Sequence, residues 1–520
     1  MSCNLTAARR RIGTVLAAAL LALFQCSCEG SPAPEKPRPP ATTTLHRGLG
    51  AEPETLDPRL ASDNAALAVL GDLYEGLAAE SADGRIGPGA AESWTVSPDG
   101  LTWTFHLRPH LRWSNGDPLT ADEFVAALED VIAPDSRAPN AGLLEAIAKI
   151  APAGPDALRI DLKRPLPYLP ALLALPVGAP QHRASGDEAG PPTNGPYRLV
   201  AWRHGDRIEL ERNPNYHTTG TVSIDRVVYS LVTDLATELN LYRTGALDLT
   251  SEVPNAQLGW IRANLADELE VAPFLSTYAY AVNLARLPDP RARQALAMAI
   301  DRARITEKVT GAGERPAFGW VPDGISGYTP ARFDWHDLPY SKMLELARAM
   351  WQDARSRNAA PDRITLCTDA SANHRRTAVA IADLWRSALG LETAIVELEW
   401  NVYLDTRRHP GECDLVRLGW SADFVDAAAF ADVFESGHPQ NTLGYRSQQY
   451  DELLRRSRMT ADASTRATLL ADAEAQLLAD APVVPIFFRV SKRLVKPHVD
   501  GYHASPLGHV ATRDLRILPH

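Results

Sequence analysis

The sequence predicts an exported α/β protein divided into two or three lobes, and three observations carry that reading. Alternating strand patterns and capped helices follow one another along the chain. The body after the N-terminal leader has about 475 residues, more than one ordinary domain holds. Two strand-like runs enclose a helix between residues 364 and 398, the order that makes a parallel sheet with a crossover.

The leader comes first. Arg9, Arg10 and Arg11 precede an apolar run from Ile12 to Phe24, and Cys26-Ser27-Cys28 follows. This order reads as a secretory signal peptide over 1–27, with an apolar run too short for the roughly 20 residues a membrane span needs. A cysteine at the cleavage point points to lipoprotein processing, in which the acylated thiol becomes the mature N-terminus. Cys28 is the better candidate because small Ser27 precedes it; Cys26 follows Phe24-Gln25 and fits less well. Residues 28–44 read CEGSPAPEKPRPPATTT, a Pro-rich tether that cannot bury a core.

Within the body, Leu101 to Arg108 alternates large apolar and polar residues, a half-buried strand. Asn115-Gly116 marks a turn. Thr120-Ala121-Asp122-Glu123 has the capping-box pattern, and Phe124, Val125, Leu128 and Val131 follow at helical spacing. Residues 152–196 are rich in Pro and Gly and read as a meander. Asp289-Pro290 opens a helix whose buried stripe is Ala295, Leu296, Ala299 and Ile300, with Arg291, Arg293 and Arg302 outside it. Ser341 is placed as the cap of a helix carrying Met343, Leu344, Leu346, Ala347 and Met350. Strands are predicted at Ile364–Cys367, Ala394–Leu398 and Val483–Phe488, with a helix near Thr377–Leu389.

Composition narrows the function. The net charge is −11, and loss of residues 1–27, with three arginines and no acid, takes it to about −14. An acidic body argues against nucleic acid and against a polybasic membrane surface. The body keeps two cysteines, Cys367 and Cys413, enough for at most one disulfide and without zinc spacing. No GxSxG, HExxH or Walker loop occurs, so a secreted hydrolase is the weaker rival. The most informative segment is Arg417-Leu418-Gly419-Trp420-Ser421-Ala422-Asp423-Phe424. A free amino group could sit on Asp423 while aromatic walls exclude water; a helix cap or structural ion pair is the plainer alternative.

Several motifs, collinear from about 45 to 520, resemble bacterial oligopeptide-binding proteins, the family 5 extracytoplasmic solute-binding proteins of ABC importers. They are Ala51-Glu52-Pro53-Glu54-Thr55-Leu56-Asp57-Pro58, Leu73-Tyr74-Glu75-Gly76-Leu77, Trp113 to Phe124, Thr193-Asn194-Gly195-Pro196-Tyr197, Leu210 to Tyr216, Leu404-Asp405-Thr406-Arg407 and Arg493-Leu494-Val495-Lys496-Pro497. The resemblance implies a type II periplasmic binding protein fold with two hinged sheet lobes and an extra lobe. Lobe I is expected over 45–75, 193–275 and 488–520, the extra lobe II over 76–192, and lobe III over 276–487. It implies a monomeric receptor in the periplasm or cell envelope. Short peptides bind between its lobes and pass to an inner-membrane ABC permease, with no cofactor, no metal and no catalysis. The same fold could serve another ligand, such as a cell-wall peptide, metal chelate or haem, or a signalling role.

By the same resemblance, Asp423 holds the ligand's amino terminus, Gly419 and Ser421 offer main-chain groups, and Trp420 and Trp400 wall side-chain pockets. Core packing is the alternative for the two tryptophans. Arg417, Arg407 and His374 fall on cationic positions for the ligand's carboxyl end, where a guanidinium fork suits a carboxylate; a surface charge is the alternative for Arg407. The family's second acidic residue for the amino terminus falls at Ser62, with Asp63 next door. A lysine used for longer ligands is Thr310 here, a tyrosine is Asn140, and the extra lobe is shorter between about 135 and 190. Ser276 and Ser421 occupy positions where relatives often carry a linked cysteine pair.

Overall fold

The computed structural model describes residues 42–182, 190–438, 440–442, 444–460 and 462–519. The leader, Cys26, Cys28 and most of the tether lie outside them. The expected tether ends one residue early: Thr44 already opens a strand.

Three main sheets organise the described residues. The first has four strands in the order Thr44–Gly48, Arg226–Ser230, Arg207–Arg212, Tyr197–Arg203, with the first pair parallel. The second is antiparallel, in the order Ala91–Val96, Thr102–Leu107, Ala157–Leu162, Ile147–Pro152. The third has six strands: Arg315–Pro316, Val483–Leu494, Leu269–Val282, Leu415–Ser421, Arg363–Asp369 and Glu392–Leu398. Its last three strands pair in parallel, with helix Ala372–Leu389 as the crossover. Among the described residues no helix is long and apolar enough to cross a membrane.

Local chemistry explains most of these elements. Trp103, Phe105 and Leu107 are buried while His106 is exposed, so period two selects one face of that strand. Gly116 turns the chain at φ 93°, a conformation that side chains resist, and its N–H donates to the Trp113 carbonyl at 2.8 Å. Helix Ala121–Ile132 follows, and the Glu123 carboxylate accepts the Thr120 N–H at 2.9 Å. Phe124, Val125, Leu128 and Val131 are its buried stripe. Helix Pro290–Met298 is capped by Asp289, whose carboxylate accepts the Arg291 N–H at 2.9 Å.

Three expectations need correction. Residues 152–196 do not all meander: Ala157–Leu162 is an inner strand with Leu158 and Ile160 buried, its alternation obscured by flanking Pro and Gly. Arg293 and Arg302 are not outside their helix but buried. Arg293 donates to the carbonyls of Leu287, Pro288, Asp480 and Ala481, and Arg302 to those of Ala297, Ala317 and Pro485. Main-chain carbonyls from distant segments satisfy a guanidinium that a helical-wheel reading sends to solvent. The helix expected to follow Ser341 spans Tyr340–Ser356, with Pro339 at its cap. Cys367 and Cys413 form the one disulfide that the sequence allowed, with Cα atoms 5.9 Å apart.

Two features position the site. Strands Leu269–Val282 and Val483–Leu494 are the longest described and pair with each other. Their register breaks between Pro273, opposite Val490, and Thr277, opposite Phe488. Beside them, strand Leu415–Ser421 is an inner strand, and its end delivers Asp423 beyond the sheet.

Candidate functional site

A cavity of about 350 Å³ opens where that sheet end meets other parts of the chain. Its wall draws on residues 64–86 and 171–179, on Ser251 and Glu252, on Phe274, on Ser421 to Phe424, and on 489–493 and 501–515. Segments distant in sequence therefore converge there, and Asp423 and Ser421 are among them.

Asp423 is exposed, but into this cavity. Protein surrounds it closely enough that burial still pushes its carboxyl above the ordinary value, opposed by the charge of His509. No described residue gives it a hydrogen bond or ion pair. Phe424, next in sequence, is buried and stacks on Tyr168 with ring centroids 4.7 Å apart. Ser421 faces Ser276 across the sheet, and its hydroxyl donates to the Ser276 hydroxyl at 2.9 Å.

Period two divides the remainder of the segment. Arg417, Gly419 and Ser421 share one face of the strand; Leu418 and Trp420 share the other. Trp420 donates its indole N–H to the Ala429 carbonyl at 2.7 Å and packs against the core, so it does not wall this cavity. Trp400 begins helix Trp400–Arg408, and its side chain lies outside what is described. The aromatic walls near Asp423 are Phe424 and Phe274 instead. Gly419 leaves room for a neighbour: a Cβ there would come within 3.0 Å of the Arg417 guanidinium.

The three expected cations do not line the cavity. Arg417 is buried, donates from Nε to Asp369 Oδ1 at 3.0 Å, and stacks over the Tyr403 ring at 4.8 Å. His374 Nδ1 lies 2.8 Å from the same Asp369 oxygen. Burial works to raise the Asp369 carboxyl, but His374 and Arg417 prevail and hold it down at about 2. Burial lowers His374, with Asp369 opposing. Arg407 sits half-buried behind Tyr403, and burial pulls its guanidinium below the ordinary value. Asp63 is a helix cap: its carboxylate accepts the Ala66 N–H at 2.8 Å and the Glu54 N–H at 3.3 Å. A cap before helix Asn64–Leu73 explains it without a ligand.

Sequence reasoning missed the cavity's own cations. Arg489, Lys492 and Arg493 all belong to strand Val483–Leu494 and line the cavity. The signal was present, since three basic residues interrupt an apolar run. Among the described residues no group of three or more His, Cys, Asp or Glu side chains is arranged to hold a metal ion.

The profile of the "Bacterial extracellular solute-binding proteins, family 5 Middle" matches residues 85–442. The periplasmic oligopeptide-binding protein OppA of Salmonella typhimurium is 34% identical over 506 residues, covering 92% of this chain and 93% of that protein. The probable deoxycholate-binding periplasmic protein YgiS of Escherichia coli is 32% identical over 498 residues, covering 90% and 92%. The crystal structure of Haemophilus influenzae OppA in complex with RPPGFSPFR superposes with a TM-score of 0.78 at 31% identity, covering 92% of this chain and 99% of that one. The fold is thus the type II periplasmic binding protein fold.

Proposed function

Because this chain belongs to the bacterial extracellular solute-binding proteins of family 5, we propose that it is a lipid-anchored receptor that binds short peptides between its lobes and passes them to an ABC permease. Its relatives include periplasmic oligopeptide-binding proteins, and the family consists of binding proteins. Cys28 would carry the acyl chain, and residues 29–43 would space the body from the membrane.

One observation supports the peptide ligand most: the Asp423 carboxylate faces the cavity without a hydrogen-bond or ion-pair partner among the described residues. A charge in such a place is costly until a countercharge arrives, and a ligand ammonium supplies both charge and hydrogen bonds. Ser421 lies on the same wall and has main-chain and hydroxyl groups to offer.

The lobes we assign are 45–75 with 193–275 and 488–520, then 76–192, then 276–487. The assigned boundaries at 275 and 487 fall inside the two longest strands, beside their register break. Two paired strands crossing between lobes form a natural hinge, and a bulge there lets them bend. Closure is then a rigid-body motion that the ligand stabilises.

Calorimetry with tripeptides to pentapeptides, free and N-acetylated, tests the reading. Free peptides are expected to bind and acetylated ones to bind much more weakly. Equal affinity for both forms would remove Asp423 from its role.

A further inference from the structure

Arginine and lysine side chains line the cavity at five described positions, and four of them are occupied. Arg47 donates to the Val510 carbonyl at 3.1 Å and the Thr512 hydroxyl at 2.7 Å. Lys492 donates to Asn255 at 2.6 Å and lies 3.6 Å from Glu314. Arg493 donates to the carbonyls of Ser251 and Gly508 at 3.1 and 2.8 Å. Arg513 donates to the Glu80 carbonyl at 2.9 Å and pairs with Glu75 at 3.5 Å. Arg489 is different: it is exposed into the cavity with no hydrogen bond or ion pair among the described residues.

The sheet aims it there. Phe488 pairs with Thr277 and Val490 with Pro273, so Arg489 alone stands opposite Phe274, Leu275 and Ser276. That bulged stretch spends its hydrogen bonds elsewhere, Leu275 donating to Pro506 at 2.8 Å and accepting from Ala422 at 2.9 Å. The irregularity bends the strand pair locally and leaves Arg489 without a register partner at the cavity edge.

Charges of both signs act on Arg489. Arg417 and His374 both act on Arg489 electrostatically, and they share one carboxylate, Asp369. Glu252 and Glu314 are the acidic groups that act on Arg489, but neither is within ion-pair distance. Two of the positions expected to receive a ligand carboxylate, Arg417 and His374, thus already share one, and Arg407 lies outside the cavity lining, while the Arg489 guanidinium stands unpaired in the cavity that holds Asp423. We propose that Arg489, and not Arg417, receives a carboxylate of the bound ligand, and so selects peptides that carry one within its reach. The carboxylate is either the peptide's own terminus or an acidic side chain. The inference rests on the peptide reading above.

The test is calorimetry of the full mature protein and its Arg489→Gln variant with four peptides: trialanine, N-acetyl-trialanine, trialanine amide and Ala-Glu-Ala amide. A charge-assisted, forked contact predicts that wild type prefers a carboxylate-bearing peptide over trialanine amide by about tenfold or more. Preference for trialanine identifies the terminus; preference for Ala-Glu-Ala amide identifies the side chain. Arg489→Gln is expected to flatten that ratio while still discriminating against the acetylated peptide. An unchanged ratio in the variant overturns the inference and leaves the peptide reading intact. So does a wild type indifferent to both carboxylates. A wild type that binds none of the four overturns both. Should Arg489→Gln fail to fold, Arg489→Lys is read instead. It keeps the charge without the fork, so an undiminished ratio refutes the forked contact.

Discussion

Asp423→Asn is the most discriminating perturbation of the candidate site. The substitution keeps size and removes charge. Truncating one partner of a buried charge pair costs about 2–5 kcal/mol. Asp423 keeps exposure into the cavity, so the lower half applies, about 2–3 kcal/mol. That corresponds to a loss of roughly 30- to 150-fold in affinity for a free tripeptide, read by calorimetry at neutral pH. The pH dependence adds a second signature. Burial raises the ligand-free carboxyl above 3.8, and only its ionised form pairs with an ammonium. Wild-type affinity should therefore climb as pH rises from 3.8 through the raised value, with protons released on binding, and the variant should stay flat. Stability runs the other way. A raised carboxyl favours the folded state most below 3.8 and loses that advantage as pH rises, so the ligand-free variant should be as stable as wild type, or slightly more so, at neutral pH. A variant whose ligand-free melting temperature drops by many degrees would refute the reasoning, as would one that binds the tripeptide unchanged.

Other expectations follow from the same structure. Asp369→Asn strips the shared partner from buried Arg417 and from His374, and should cost about 2–4 kcal/mol in urea unfolding. Because the Asp369 carboxyl is held at about 2, this difference should be full above pH 3.8 and fade as pH falls toward 2. Removing the Cys367–Cys413 bridge as a double alanine variant opens a 46-residue separation and should cost about 4 kcal/mol by chain entropy. Unchanged unfolding midpoints would contradict that. The pair Ser276→Cys and Ser421→Cys should oxidise readily, since the two residues are register partners with hydroxyls 2.9 Å apart. Thiol titration checks it, with no free cysteine expected beyond any in the leader.

Much of this protein was legible from residue order alone. Short-range chemistry carried the helices opened by Thr120 and Asp289 and the crossover between strands Arg363–Asp369 and Glu392–Leu398, whereas the pairing of Ser276 with Ser421 came from the family resemblance. Asp423 was singled out by its neighbours Arg417, Gly419 and Trp420 and by the family resemblance, and the structure sets it on a cavity wall. What failed depended on contacts between distant segments. Arg293 and Arg302 looked like solvent-facing charges until carbonyls from residues 480–485 came to meet them. Arg417 and His374 looked like free receptors for a carboxylate until Asp369 proved to bind both. Asp63 became a helix cap, and Trp420 turned away to Ala429. Residue type and local spacing determine which face a side chain takes along a strand or helix. Whether a charge on that face is spent or available depends on what the fold brings against it. For Asp423 and Arg489, tertiary structure brought only a cavity.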